Sequence, residues 1–258
     1  MNSTKINSNN INIDLQLAEI CGIHAGDGYL RNDGRRKEWD ISGNVEEKDY
    51  YDKHLIPLFN KTFKLNIEGR FFRSRNTYGF VIRDPKIIEF AHNVLGFPYG
   101  NKSLKIKAPE FIFKNSSLMV HFLRGYFDTD GHFSCVKRYG NCCEFKNKVN
   151  CYPRLIFTTV AHHLSDNLRD LLKAFGLRFF FHNYRSLIKT ESLKYIYELN
   201  GIERVKKFMN LVKPQNIIKK SRYLIWVKFG FCPTNITYQQ RLNILEGKIS
   251  PYIFYKGL

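Results

Sequence analysis

One short pattern occurs twice in this chain, and it restricts the fold more than any other feature. Residues 22 to 30 read GIHAGDGYL and residues 125 to 133 read GYFDTDGHF, so that Gly22, Asp27 and Gly28 coincide with Gly125, Asp130 and Gly131 at a separation of 103 residues. The segments downstream of the two copies repeat as well. After the first come LRNDGRRKEWDISGN, with strand and turn character, and a segment with helical apolar spacing at Tyr51, Leu55, Leu58 and Phe59. LNIEGRFFRSR and TYGFVIRD read as two further strands, and a helix runs from Asp84 or Pro85 to about Leu95, with proline in its first turn. After the second copy, HFSCVKRYGN and RLIFTTV read as strands, and SDNLRDLLKAFG as a helix capped by Ser165 or Asp166 and ended by Gly176. LRFFFHNYR and SLKYIYELN read as strands and IERVKKFMNLV as a helix. Each half is thus helix, two strands, helix, two strands, helix.

The spacing divides the chain into residues 1–10, a disordered arm rich in Asn and Ser, a first half at 11–116, a second half at 117–230, and an extension at 231–258 without counterpart in the first half. Asn101-Lys102-Ser103 and Lys219-Lys220-Ser221 align as a shared tail. Lys102 follows its aspartate by 102 − 27 = 75 residues and Lys220 by 220 − 130 = 90, and the insertion RYGNCCEFKNKVNCYP absorbs the difference as a longer hairpin.

Residues 11–26 predict one buried helix, apolar on nearly all sides. Ala18, Gly22 and Gly26 form a stripe of small residues along it, and Gly125 and Thr129 occupy the matching places in a second helix over about 117–129. Small residues at that spacing let two helix backbones approach closely. Facing stripes would bring both helix C-termini together and with them Asp27 and Asp130. A helix C-terminus is already partly negative, so two carboxylates there repel both it and each other. Bound divalent cations, which favour oxygen ligands, would relieve that repulsion.

The charge balance points to a polyanionic partner. Lys and Arg number 41 against 23 Asp and Glu, a formal net charge of +18 on 258 residues. A surplus of that size favours nucleic acid, whose condensed counterions are released by each phosphate contact. The 43% hydrophobic content, with 15% aromatics, is that of a globular chain. No run of about 18 apolar residues suits a membrane span, and no long basic amphipathic helix suits a membrane surface. The first ten residues lack an apolar signal core, so the expectation is an intracellular or organellar protein that is not secreted, with reduced thiols.

ICGIHAGDG at residues 20–28 and LRGYFDTDG at 123–131 resemble the nine-residue motif of the LAGLIDADG homing endonucleases. Each keeps glycine at the third place, an acid at the eighth and glycine at the ninth. The first copy departs with Ala25 at the sixth place, and the second with Arg124 and Thr129 at usual alanine positions. The likeness in element order runs from about residue 11 to about 230. It implies an α+β fold of two pseudo-symmetric αββαββα halves, each with a four-stranded antiparallel sheet forming a DNA-binding saddle. Two motifs in one chain look like the monomeric branch, which reads an asymmetric site. The resemblance further implies a site-specific endonuclease that hydrolyses both strands of double-stranded DNA with Mg²⁺ or Mn²⁺ held by Asp27 and Asp130. The carbonyls of Gly26 and Thr129 are candidates to complete the metal shell, and Lys102 and Lys220 are candidate catalytic cations beside the site.

A β-sheet entering the major groove needs donors on one face. Arg31, Arg35 and Lys37 alternate, as do Arg73 and Arg75, and Arg70 and Arg83 add to the first half. Lys137, Arg138, Arg154, Arg178 and Arg185 lie on the matching strands of the second. Three alternatives stand beside this reading: a maturase that binds intron RNA with the same basic saddle, a catalytically silent DNA-binding regulator, and a zinc site built from His132, Cys135, Cys142, Cys143 and Cys151, whose spacing fits no standard zinc frame.

Overall fold

The computed structural model describes residues 13–137, 151–185 and 191–255. The first half runs α1 (Leu15–Asp27), β1 (Gly28–Asn32), β2 (Lys37–Asn44), α2 (Lys48–Tyr50), a π-helical turn (Tyr51–Leu55), α3 (Ile56–Phe63), β3 (Arg70–Phe72), β4 (Thr77–Ile82) and α4 (Pro85–Asn93). The second runs α5 (Ser116–Asp130), β5 (His132–Val136), β6 (Tyr152–Thr159), α6 (His162–Ala174), β7 (Phe180–Tyr184), β8 (Lys194–Asn200) and α7 (Ile202–Val212), and is followed by α8 (Ile217–Phe229) and α9 (Tyr238–Leu245). Two antiparallel four-stranded sheets have the orders β1-β2-β4-β3 and β5-β6-β8-β7, the same topology twice. The fold is therefore the α+β duplication that the repeat predicts. No helix among the described residues is long and apolar enough to cross a membrane.

Strand register decides which side chains each sheet presents. In β2 and β4 the pairs Trp39 with Ile82 and Ile41 with Phe80 turn toward the helices and are buried. The alternate pair, Asp40 with Val81, turns to the opposite, open face, as the two-residue period of a strand requires. Phe157 with Tyr197 and Leu155 with Leu199 are the buried, helix-facing pairs of the second sheet.

Four local expectations give way to competing interactions. The first helix starts at Leu15 because the Asp14 carboxylate caps it, accepting the Leu17 N–H at 2.9 Å. α6 starts at His162, ahead of Ser165, whose hydroxyl is buried against the Tyr197 hydroxyl at 2.8 Å. The third strand stops at Phe72, and Arg73–Arg75 form a 3₁₀ turn instead of extending it. Residues 217–229 form α8, a helix not anticipated from the repeat, with Asn216 accepting the Ile218 and Lys219 N–H groups as its cap. α9 is fastened to α8 by the buried Arg241, which donates to Ser221 Oγ at 2.8 Å and to the Ile236 carbonyl at 2.9 Å.

The halves meet where α1 crosses α5. A Cβ added at Gly22 would lie 2.1 Å from the Phe122 carbonyl oxygen, and one added at Gly125 would lie 2.1 Å from that of Glu19. The two contacts are mirror images in sequence, each glycine pressing on the residue three before the other. Gly26 continues the stripe, its missing Cβ leaving room for the Thr129 side chain. At the far end of the crossing the buried Glu19 joins the halves. It accepts from His54 at 2.6 Å, His121 at 3.1 Å and Arg124 at 3.2 Å. Burial alone would raise its pKa, but the bonds from His121 and His54 and the charges of His54 and Arg124 hold it at about 2. Arg124, a departure from the motif, is thus an interface ion-pair partner.

Because the obstacles at Gly22 and Gly125 are backbone atoms, they cannot rotate away. Gly22→Ala and Gly125→Ala should each destabilise the protein by about 3 kcal/mol or more. Thermal or urea denaturation measures this, and unchanged midpoints would show that the two backbones are not in contact.

Candidate active site

α1 and α5 end in Asp27 and Asp130, and each chain then enters a strand directly through Gly28 or Gly131. Both glycines are needed sterically, since a Cβ on Gly28 would strike His24 and one on Gly131 would strike Phe127 in the preceding turn. The close helix crossing carries the two aspartates to one place. The Asp130 carboxyl carbon lies 3.3 Å from the point where a Gly26 Cβ would stand. Burial, the charge of Asp130 and the charge of Glu47 push the Asp27 carboxyl up to about 7, against the opposing charge of Lys219 and a hydrogen bond from Tyr51. Asp130 keeps an exposed edge, but burial raises its pKa too, opposed by Lys102 and Lys219.

Two lysines close the site. The Lys102 ammonium donates to the carbonyls of His24 and Gly26, and the Lys219 ammonium donates to those of Phe127, at 3.3 Å, and Thr129. Each cation caps the negative end of its own half's helix. Burial pushes the Lys102 ammonium down to about 8, although Asp130 and Asp27 both favour its charge. The symmetric partner of Lys102 is therefore Lys219 and not Lys220. Lys102 sits in a loop, whereas Lys219 sits in the first turn of α8, and the next residue of a helix points about 100° away. The Gly26 and Thr129 carbonyls, proposed as metal ligands, each accept from a lysine ammonium in this structure.

Three residues not singled out from the sequence belong here. Tyr51, on the π turn, donates its hydroxyl to Asp27 Oδ2 at 3.0 Å. The turn precedes Pro57 in α3, a residue without an N–H to donate, and the Ile56 N–H bonds the Tyr51 carbonyl across the wider turn. A point one Cβ out from Gly43 is 2.8 Å from Glu47 Oε2, 2.9 Å from the Tyr51 hydroxyl and 3.0 Å from Asp27 Oδ2. Three oxygens converging on that cradle are the donor type a hard divalent cation takes, so the residues present fit Mg²⁺ or Mn²⁺. Asp128, fully buried, accepts the N–H groups of Gln215 at 2.8 Å and Asn216 at 3.1 Å. It thereby fixes the segment that aims Lys219. Only its aspartate identity at the end of a buried helix could have marked it in the sequence.

The basic residues proposed as readers divide by register. Arg31, Arg70, Arg75 and Arg83 lie on or beside the open face of the first sheet. Arg31, Arg75 and Arg83 are paired with Asp33, Asp40 and Glu38. Arg35 is exposed in the β1–β2 turn, and Arg73 shares the 3₁₀ turn with Arg75. Lys37 does not alternate with Arg31. It pairs across from Asn32, on the helix-facing side, and binds Glu89 of α4 at 3.0 Å. In the second sheet Arg154 is on the open face beside Glu198. Lys137 and Arg185 are exposed just past β5 and β7, and Arg178 lies beside Glu203, Arg204 and Lys207 of α7. Arg138, Cys142 and Cys143 lie outside the described residues. Cys135 and Cys151 are buried, and the metal-type cluster found among the described residues is instead the group of the exposed His162 and His163 with the half-buried Asp166.

Comparison with solved structures identifies the architecture. The chain is similar to the homing endonuclease I-DmoI in complex with DNA and Mn, at 17% identity and TM-score 0.50 over 78% of this chain and 97% of that one. It is also similar to the meganuclease I-SmaMI bound to uncleavable DNA, at 12% identity and TM-score 0.51 over 90% and 97%. The fold is that of the LAGLIDADG homing endonucleases, with both motifs carried on one chain. No family model matches the sequence. Among curated proteins it is 25% identical to a probable translation initiation factor IF-2 of Methanocaldococcus jannaschii over 219 residues, 79% of this chain and 16% of that protein. It is 26% identical to an uncharacterized protein of the same organism over 159 residues, 60% of this chain and 54% of that one. The chain thus spans less than two thirds of either curated relative.

The raised Asp27 pKa makes a stability prediction for the metal-free protein. The folded state holds this proton more tightly than the unfolded chain, whose ordinary value is 3.8, so Asp27 weighs against folding increasingly as pH rises from about 4 to about 7. Asp27→Asn removes that penalty. The variant should melt with wild type near pH 4 and be more stable at pH 8, by on the order of a few kcal/mol. Equal melting at both pH values would place Asp27 in an ordinary solvated environment.

Proposed function

We propose that this chain is a site-specific endonuclease that hydrolyses both strands of a long, asymmetric double-stranded DNA site with divalent metal. The observation that carries the reading is the convergence of two carboxylates, each at the end of its own helix, with one lysine from each half beside them. The surplus of basic residues and the two open sheet faces supply what a DNA duplex requires. The protein would act as a monomer, since one chain already contains both motifs, and within a cell or organelle.

In this mechanism Asp27 and Asp130 would hold Mg²⁺ or Mn²⁺, with Glu47 available to Asp27, and the bound ion would supply Lewis-acid polarisation of the phosphodiester and of the attacking water. The carboxylates must be ionised to do so, and Lys102 and Lys219 favour that state by their charge. The same ammoniums stand where negative charge develops on a phosphate laid across the helix ends. Asp128 and Asn216 position Lys219, while Tyr51 holds Asp27 in one orientation. One aspartate serves each strand.

A cleavage screen on a randomised DNA library with Mg²⁺ or Mn²⁺ tests the reading. Defined ends are expected with wild type. Asp27→Asn and Asp130→Asn should each lose at least about 100-fold in double-strand cutting while retaining binding. Lys219→Met should lose about tenfold or more, and Lys220→Met less than about twofold. Divalent metal should raise the melting temperature of wild type at pH 8 and leave that of the double aspartate variant unchanged. Full cutting by either aspartate variant would refute the assignment, and intron RNA binding without cutting would favour a maturase.

A further inference from the structure

α6 opens with two histidines, His162 and His163, and no side chain caps it. Successive residues of a helix point about 100° apart, so the residue four places after the first falls between the two, about 40° from one direction and about 60° from the other. At that place α6 carries Asp166. The three side chains present one ligand atom each, and these atoms all lie within 4.8 Å of one another. His162 Nδ1 stands 3.2 Å from Asp166 Oδ2. The ligand atoms of a tetrahedral zinc ion stand about 3.3 Å apart.

Neighbouring side chains hold two of the three ligands from behind. Arg169 pairs with the other carboxylate oxygen, Asp166 Oδ1, at 2.8 Å, which leaves Oδ2 turned to His162. Tyr195, near the start of β8, meets the His162 ring edge-on with 5.7 Å between the ring centroids. Contacts of this kind orient the ligands of metal sites. His162 and His163 are exposed and Asp166 is half-buried, so an ion reaches them directly from solvent. All three ligands come from one face of one helix turn, so the coordination positions opposite them stay open.

Two imidazoles and a carboxylate are a donor set for Zn²⁺ and the neighbouring first-row ions, whereas Mg²⁺ prefers oxygen ligands alone. We infer that the first turn of α6 is a second metal site, which takes one ion of the Zn²⁺ type through His162, His163 and Asp166. It shares no residue with the site at Asp27 and Asp130. It differs from that site in kind as well, since the donors around Asp27 are oxygens.

The test is calorimetric titration of Zn²⁺ into the full chain carrying Asp27→Asn and Asp130→Asn, so that the central carboxylates do not contribute. One equivalent of Zn²⁺ should bind, and a large excess of Mg²⁺ should not displace it. His162→Ala, His163→Ala and Asp166→Asn, each added to that chain, should weaken the binding by at least about tenfold. Arg169→Ala, which removes only a positioning contact, should weaken it less than any of the three. The ligands lie on the surface, so these substitutions should leave the circular dichroism of the chain unchanged. Absence of Zn²⁺ binding, or binding that any one of the three ligand substitutions leaves unchanged, would overturn the inference. Neither result bears on the endonuclease reading, which rests on the other site.

Discussion

Two glycines without side chains let a pair of helices touch backbone to backbone, and the position of everything chemical in the molecule depends on that contact. At Gly22 and Gly125 the space left for a Cβ is already filled by a carbonyl oxygen of the other helix. Axes this close leave the two helix ends adjacent, and each end is an aspartate. The sheets start within the next two residues, so they are held to the same reference. A wider helix spacing would separate the carboxylates and splay the two open faces together.

The contact concentrates negative charge where helix dipoles already supply it, and the structure answers with lysines. Lys102 and Lys219 come from different kinds of element, a loop and a helix, yet each reaches the last carbonyls of its own half's motif helix. Even so, Asp27 and Asp130 stay above the ordinary carboxylate range. Two cations cannot neutralise both aspartates, Glu47 and two helix ends at once. A site left short of positive charge is one that gains from a divalent ion. The opposite end of the helix pair is balanced internally. Glu19, with His54, His121 and Arg124 about it, keeps its charge and requires nothing further.

Much of this is legible in the sequence because it is written as repetition and period. The duplicated Gly-Asp-Gly, the stripe formed by Gly22, Gly26, Gly125 and Thr129, and the alternation in β2 and β6 each arise from short-range geometry. The features that escape depend on contacts distant along the chain. Tyr51 reads as one more apolar position of a helix, and nothing local shows that its hydroxyl meets Asp27, 24 residues earlier. Lys219 and Lys220 are adjacent and chemically identical, so only the start of α8 at Asn216 decides which one enters the site. Lys37 resembles a reader only while a strand period is counted through a turn. The residues between Asn32 and Lys37 form that turn, and they reverse the face on which Lys37 emerges.

The duplication fixes the frame but leaves the two sites free to differ. Asp27 has Tyr51 and Glu47 close to it, both supplied by the chain that follows β2. The corresponding chain after β6 passes through Ala161 into α6, with no acidic residue at its start and with Ser165 committed to Tyr197. Asp130 is instead governed by Lys102 from the opposite half and by Lys219 from its own. A dimer of identical chains would have to repeat any such change on both sides. In a single chain the two halves share only what the helix crossing demands, and Arg124, Thr129 and the C-terminal helices show how far the rest can diverge once that crossing is kept.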